Sequence, residues 1–418
     1  MLSYLLILFL SNSVFQQSDG FSVPSLRTKA MGDLSFIPGT TYKFNLYELS
    51  NNPAGLLEYK TKLPTLMIQG EHGNASEQLV YYTSNNLAAQ INIKNKFIAA
   101  EGSIQTGDSP IWDNEYYEGY LIFMDSFGKT KKNLSLSVKF KNILIGGSYK
   151  YSEWLTIPPH SPSEDILSYG DPKKRHFLAG IEILANKYFT IGSNIDFRQS
   201  TLFSTYYDRY SSQKTNFLST DAIFNLHKQI KFGITYKIGL DNEMQNFQKE
   251  DTVLWDEMKN LTLYGLYKVK ETNIWLTLKN ANYWEFQPLS LWQYYYYPAK
   301  ENGFGGGISH SFNNIILGIE FYKNAMECYF EEDTLLWHPI EIRGGIEYSI
   351  KNISVRGGYK MERFAFAFPI ESFTMGLGWN FYRKVSLQYL YEHRSQIDNS
   401  FSLKGSFSYS RVELSYTL

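Results

Sequence analysis

From about residue 63 onward the chain repeats one unit: an alternating apolar/polar run, a two- or three-residue polar turn, and a second alternating run. Eight such turns fall near Lys94-Asn95, Lys141-Asn142, Asn186-Lys187, His227-Lys228, Glu271-Thr272, Asn313-Asn314, Lys351-Asn352 and Tyr382-Arg383. Short turns rich in Asn join antiparallel strands tightly. The alternation is clean on both sides of several turns. Before Lys141, Leu134, Leu136, Val138 and Phe140 alternate with Ser135, Ser137 and Lys139. After Lys351-Asn352, Ile353, Val355, Gly357, Tyr359 and Met361 share one face, and Ser354, Arg356, Gly358, Lys360 and Glu362 share the other. Period two places each set on one side of a sheet.

Eight turns join sixteen strands. A strand near Leu63–Gly70 and another near Ser400–Ser410 or Arg411–Leu418 raise the count to eighteen, and 14 to 18 is the expected range. Longer, less regular segments separate the hairpins: Glu153–Asp171 with its Pro158-Pro159 pair, Ser200–Lys214, Asp241–Trp255 and Ala281–Asn302. Tight turns at one end and long loops at the other are the asymmetry of an outer-membrane barrel. The tight turns are therefore expected to face the periplasm and the long loops the cell exterior.

The N-terminus reads Met-Leu-Ser-Tyr-Leu-Leu-Ile-Leu-Phe-Leu and then Ser11-Asn12-Ser13, the apolar-then-small order of a signal peptide, although no Lys or Arg precedes it. No later run approaches the ~18 apolar residues of a membrane helix. A chain of strands enters lipid only as a closed barrel, because open edges leave backbone groups unpaired. Composition agrees. Mean hydropathy is only −0.31 and 17% of residues are aromatic. Both suit strands with one lipid-facing and one polar face. The terminal residues alternate too, with Val412, Leu414, Tyr416 and Leu418 facing one way, in the style of a barrel-assembly signal. The expected fold is all-β: a transmembrane antiparallel up-and-down β-barrel with a short N-terminal plug, divided as signal peptide 1–18, plug or lead-in 19–60 and barrel 61–418, in the bacterial outer membrane. Its partners there are outer-membrane lipid and the barrel-assembly machinery.

A formal net charge of −1 leaves no basic excess for nucleic acid or anionic lipid. The single cysteine, Cys328, excludes an intrachain disulfide and a Cys-based zinc site, and reads as a small apolar filler. The seven histidines are scattered, and His310 and Ser311, as neighbours on a strand, point to opposite faces. The acidic run Glu331-Glu332-Asp333 reads as a solvated loop, and the glycines of Gly303–Gly307 as the opening of a strand. No catalytic residue, metal site or cofactor is expected.

Ahead of the barrel lie Ala30-Met31-Gly32 and Tyr47-Glu48-Leu49-Ser50-Asn51-Asn52-Pro53-Ala54-Gly55-Leu56. These resemble the start of the long-chain fatty-acid transporter (FadL-like) superfamily, including its PorV/PorQ-type branch. Near the C-terminus, Arg343-Gly344-Gly345-Ile346-Glu347-Tyr348, Ser354-Val355-Arg356-Gly357-Gly358-Tyr359, Met375-Gly376-Leu377-Gly378-Trp379 and Phe401-Ser402-Leu403 resemble closing strands of that branch. Read from its residues alone, Asn52-Pro53-Ala54-Gly55 is a turn: Pro fixes φ, Asn favours turn entry and Gly permits positive φ. Its expected role is to aim the chain from the plug into the first strand.

The resemblance implies a passive transporter of hydrophobic or amphipathic small molecules. It also admits an anchor or shuttle subunit of a secretion or surface-attachment machine, with a secretion-system protein as partner. A soluble β-propeller is the third reading, since the turns recur every 31–47 residues or so. Blades, however, need four short strands per repeat, and here each repeat holds two long ones.

Overall fold

The computed structural model describes residues 26–34, 51–58, 65–77, 80–108, 116–117, 120–121, 128–155, 169–204, 209–245, 252–254, 258–290, 293–329, 334–363, 370–381, 384–397 and 404–417. Eighteen antiparallel strands close into one barrel. We number them β1 (Thr65–Glu77), β2 (Val80–Lys94), β3 (Ile98–Asp108), β4 (Gly128–Phe140), β5 (Ile143–Leu155), β6 (Tyr169–Leu184), β7 (Phe189–Ser204), β8 (Arg209–Asn225) and β9 (Ile230–Gln245). Then come β10 (Thr252–Leu254 and Lys259–Val269), β11 (Thr272–Ser290), β12 (Gln293–Phe312), β13 (Ile315–Tyr329) and β14 (Thr334–Trp337 and Ile340–Ile350). β15 (Ile353–Arg363), β16 (Ile370–Phe381), β17 (Val385–Ile397) and β18 (Lys404–Thr417) complete the ring. Each strand pairs with its sequence neighbours, and β1 pairs with β18 from Thr65↔Thr417 to Glu77↔Gly405. That last ladder removes the sheet edge. A two-rung hairpin, Tyr116–Tyr117 with Tyr120–Leu121, stands apart from the barrel sheet.

The barrel is inside-out relative to a soluble protein. On β4, Leu134, Leu136 and Val138 are 63%, 47% and 41% exposed, whereas Ser135 and Ser137 between them are 1% and 0% exposed. The same split recurs around the ring: Ile353, Val355, Met375, Leu377, Val412 and Leu414 face out, while Arg356, Thr374 and Glu413 are buried on the inner face. An outer face of this composition is stable only in lipid, where each Leu or Ile removed from water contributes on the order of 1.5–3 kcal/mol. Closure satisfies every ladder in the ring, as hydrocarbon demands.

Six of the eight expected tight connections join strands where the sequence places them, Tyr382-Arg383 lies outside the described residues, and β1 begins and β18 ends at that same end of the barrel. Three expectations are corrected. The fifth turn is Lys270-Glu271, not Glu271-Thr272: Lys270 takes φ 50°, and β-branched Thr272 opens β11 instead. Two segments read as long loops, Ser200–Lys214 and Ala281–Asn302, are largely strand. Ala281–Asn302, for example, is mostly β11 and β12, paired from Asn280↔Asn302 up to Ser290↔Gln293, with a register shift beside Pro288. Proline suggested loop, but a bulge accommodates it within the ladder. Gly303–Gly307 lies inside β12 rather than at its opening. The residues expected as signal peptide, the Pro158-Pro159 pair, the Glu331–Asp333 run and Leu418 lie outside the described residues, as does the side chain of Cys328.

Candidate functional site

The inner wall is polar, and two pieces of the N-terminal segment pack against it. The first is a short helix, α1 (Leu26–Ala30), continuing through Met31, Gly32, Asp33 and Leu34. Leu26, Ala30, Met31 and Leu34 are almost fully buried. Gly32 takes a left-handed φ of 73°, which turns the backbone against the wall.

Glycines in the wall make room for this piece. A Cβ at Gly345 would collide with the Met31 backbone, one at Gly358 with the Gly32 amide, one at Gly376 with the Ala30 side chain, and one at Gly318 with Leu34. These glycines sit on β13 to β16, at inward positions. A Cβ at the neighbouring outward Gly357 would meet ordinary contacts, the Ile346 side chain at 3.6 Å and the Thr374 carbonyl at 4.0 Å. The two Arg-Gly-Gly stretches therefore have a spatial reading. Arginine faces in, the first glycine faces out, and the second faces in to admit the N-terminal backbone.

Polar bonds fix the register of contact. The Arg27 guanidinium donates twice to Glu347, at 2.7 Å each. Arg356 donates to the same carboxylate at 2.6 Å and to Gln388 Oε1 at 3.2 Å. Arg343, 2% exposed, donates to the Asp33 carbonyl at 2.8 Å and to Glu341 at 2.6 Å. The Thr374 hydroxyl donates to the Ala30 carbonyl at 3.1 Å. Burial alone would raise the Asp33 carboxyl, but Lys29, Lys360, Arg343 and Arg394 together hold it well below the usual carboxylate range. Burial pulls the Lys29 ammonium down, with Asp33 opposing.

The second piece is a 3₁₀ turn, Pro53–Leu57, which packs on β3 to β6. It contains the sequence-predicted motif. The Asn52 carbonyl-type oxygen Oδ1 accepts from the Ala54 amide at 3.1 Å, capping the turn, while Nδ2 donates to the carbonyls of Ile181 (3.1 Å) and Ser193 (3.4 Å). Pro53 occupies the first turn, where its missing amide costs nothing. The Ser137 hydroxyl donates to the Ala54 carbonyl at 2.6 Å. Ala54, Leu56 and Leu57 cluster with Ala99 and Leu144. Gly146 and Gly180 lie beneath Pro53 and Asn52, where a Cβ would overlap them. The left-handed residue is Asn51, φ 58°, and not Gly55. The motif thus docks on the wall by side-chain bonds as well as turning the chain.

The two docking patches centre near β5 and β15. In a ring of eighteen strands these are nearly opposite walls, so one N-terminal chain touches both sides of the lumen. Elsewhere the wall carries paired charges beside ring faces. Asp196 holds His176 at 2.7 Å and Arg198 at 2.6 Å, and the Lys237 ammonium sits 4.0 Å from the Phe217 ring centre. The Trp275 and Tyr322 rings pack tilted at 44° with centres 5.3 Å apart, and the Arg343 guanidinium lies 4.8 Å from the Tyr322 ring. Gly305 and Gly307 open the space for that ring pair. Sequence reasoning named none of Asp196, Arg198, Phe217, Trp275 and Tyr322, and gave Arg343 and Gly303–Gly307 no place in the lumen. The signal available was the inward position of Arg343, Arg356 and the glycines that follow them. Among the described residues, no three or more His, Cys, Asp or Glu side chains group as a metal site.

A closed eighteen-stranded barrel with an apolar exterior, a polar interior and a chain segment packed inside defines an integral β-barrel of the bacterial outer membrane. No protein-family model matches the chain, and no curated protein does. Solved structures similar to it include the CymD monoaromatic hydrocarbon channel, at 10% identity and a TM-score of 0.42, covering 94% of this chain and 96% of that one. The Pseudomonas putida toluene transporter TodX is similar at 10% identity and 0.38, covering 93% and 96%. The copper transporter OprC is similar at 9% and 0.49, covering 85% and 81%. The assignment to the class rests on the closed sheet itself.

Proposed function

We propose that this protein is a passive outer-membrane channel for hydrophobic or amphipathic small molecules, with residues 19–60 acting as a plug. The observation that carries the reading is the packing of Leu26–Leu34 and Asn52–Leu57 on opposite walls of the lumen. Barrels of sixteen to eighteen strands without such a segment leave a wide aqueous channel. Two pieces of chain packed on opposite walls narrow the lumen and make passage selective. Ring faces beside paired charges, as at Phe217–Lys237 and Trp275–Tyr322–Arg343, suit solutes with an apolar body and a polar end.

The test is uptake into proteoliposomes. The expected result is entry of a fatty acid or a monoaromatic hydrocarbon faster than into empty vesicles, with exclusion of a disaccharide. Hydrophobic uptake equal to that of empty vesicles overturns the proposal.

A further inference from the structure

The chain is nearly neutral overall, with 40 Lys and Arg against 41 Asp and Glu. The fold nevertheless sorts these charges. Of the eight tight turns, seven carry an exposed lysine: Lys96, Lys141, Lys187, Lys228, Lys270, Lys351 and Lys384. Among the described turn residues the only acid is Glu271. The sorting is invisible in the net charge, because the turns are dozens of residues apart in sequence and become one ring only when the barrel closes.

Two further observations give the ring a direction. Four of the lysines fold over aromatic rings at the same end: Lys96 over Phe97 (5.6 Å), Lys141 over Phe140 (5.8 Å), Lys187 over Tyr188 (4.7 Å) and Lys384 over Tyr416 (5.9 Å). All four rings are exposed, and Phe140 and Tyr416 continue the outward apolar rows of β4 and β18. Aromatic rings at this level sit at the membrane–water interface. The ammonium groups over them are therefore held at headgroup depth rather than projecting into solvent. The second observation is backbone conformation. Lys141, Lys270 and Lys351 each open a two-residue turn in the left-handed region, at φ 54°, 50° and 50°. Gly, Asn and Asp take that conformation most readily, and the equivalent position of the remaining two-residue turn is Asn313, φ 45°. Lysine stands at three of these four positions against local backbone preference.

We propose that the turn ring is a binding girdle for anionic phospholipid headgroups in the periplasmic leaflet. Charge complementarity selects the ligand: ammonium groups spaced around the rim at interface depth meet phosphate diesters that carry net negative charge. This departs from the expectation, drawn from net charge alone, that no basic excess is present to attract anionic lipid.

The experiment is native mass spectrometry of the full-length barrel from micelles holding equal phosphatidylglycerol and phosphatidylcholine. Wild type is expected to retain phosphatidylglycerol preferentially. The variant K96Q/K141Q/K187Q/K384Q is expected to lose at least about fivefold of that preference, given roughly a fivefold contribution per surface cation. The control K132Q/K174Q/K214Q/K300Q, altered at exposed lysines away from the tight turns, is expected to keep it. An absence of preference in wild type overturns the proposal, and so does equal loss in both variants. Retention of peptidoglycan fragments without any lipid preference also overturns it. The wild-type measurement decides the first point even if a variant fails to fold. The readout does not involve solute passage, so its failure and that of the channel reading are distinguishable.

Discussion

Arg27 and Glu347 lie 320 residues apart in the chain and meet as a two-pronged ion pair, with both nitrogen–oxygen distances at 2.7 Å. Glu347 also receives Arg356, so one buried carboxylate fastens the N-terminal segment and a wall strand together. Hydrogen bonds to charged groups contribute about 1.5–3 kcal/mol each. Arg27→Met should weaken docking of residues 26–34 by about that amount. Glu347→Gln should weaken it more, because Arg27 and Arg356 then face a neutral amide. Labelling of a cysteine placed at Lys29, in a Cys328→Ser background, reads the docking. Heat-dependent gel mobility, reporting the barrel, should not change.

Gly358 and Gly357 are adjacent but face opposite sides, which makes them a matched pair. Gly358→Ala places a methyl on the Gly32 amide and should expel the segment, raising Lys29-site labelling several-fold. Gly357→Ala meets an ordinary 3.6 Å contact and should leave labelling as in wild type. Equal behaviour of the two variants would show that the glycine cradle is not what admits the segment.

Asn52 uses both ends of its amide, accepting from Ala54 and donating to two carbonyls. Asn52→Asp keeps the cap but turns a carboxylate oxygen toward the Ile181 and Ser193 carbonyls. It should therefore destabilise docking of the 3₁₀ turn more than Asn52→Ser, which keeps the cap with no repulsion. Loss of the cap alone costs about 1 kcal/mol. Limited proteolysis near residue 58 at pH 7 would rank the three proteins.

Acid should loosen the first piece. The Asp33 carboxyl is held below its ordinary value of 3.8 when docked. Its contribution is then fully present above that value and is lost as pH falls below it toward the docked value. Single-channel conductance of the wild-type barrel should stay flat down to about pH 4 and rise below it. Asp33→Asn should abolish the acid-dependent part of that rise.

Deleting residues 26–34 removes the piece of chain on the β13–β17 wall. If that piece narrows the lumen, the deletion should admit disaccharides into proteoliposomes and raise single-channel conductance, with the heat-dependent gel shift retained. Unchanged sugar exclusion would show that the described N-terminal segment does not restrict the pore.

The barrel was legible because period-two alternation and tight turns are local signals. Ser135 and Ser137 inward, with Leu134 and Leu136 outward, follow from the pleat alone. Strand ends at the long-loop side were not legible. Beyond the bilayer one face no longer needs to be apolar, so β11 and β12 continue through Pro288 and Pro298 without the pattern that marks their membrane halves. Asn52-Pro53-Ala54 was recognised as a turn, but its bonds to Ile181, Ser193 and Ser137 were not. Those partners depend on which wall the chain reaches.

By itself, the sequence determined the strand faces, six of the tight connections and the need for closure. Each follows from backbone geometry over a few residues, or from the rule that lipid tolerates no unpaired backbone. Only the tertiary structure decided that β1 meets β18, that Arg27 finds Glu347, and that seven scattered lysines form one rim. Ring closure brings together residues hundreds of positions apart, at distances set by the register of all eighteen ladders at once. No local pattern carries that sum.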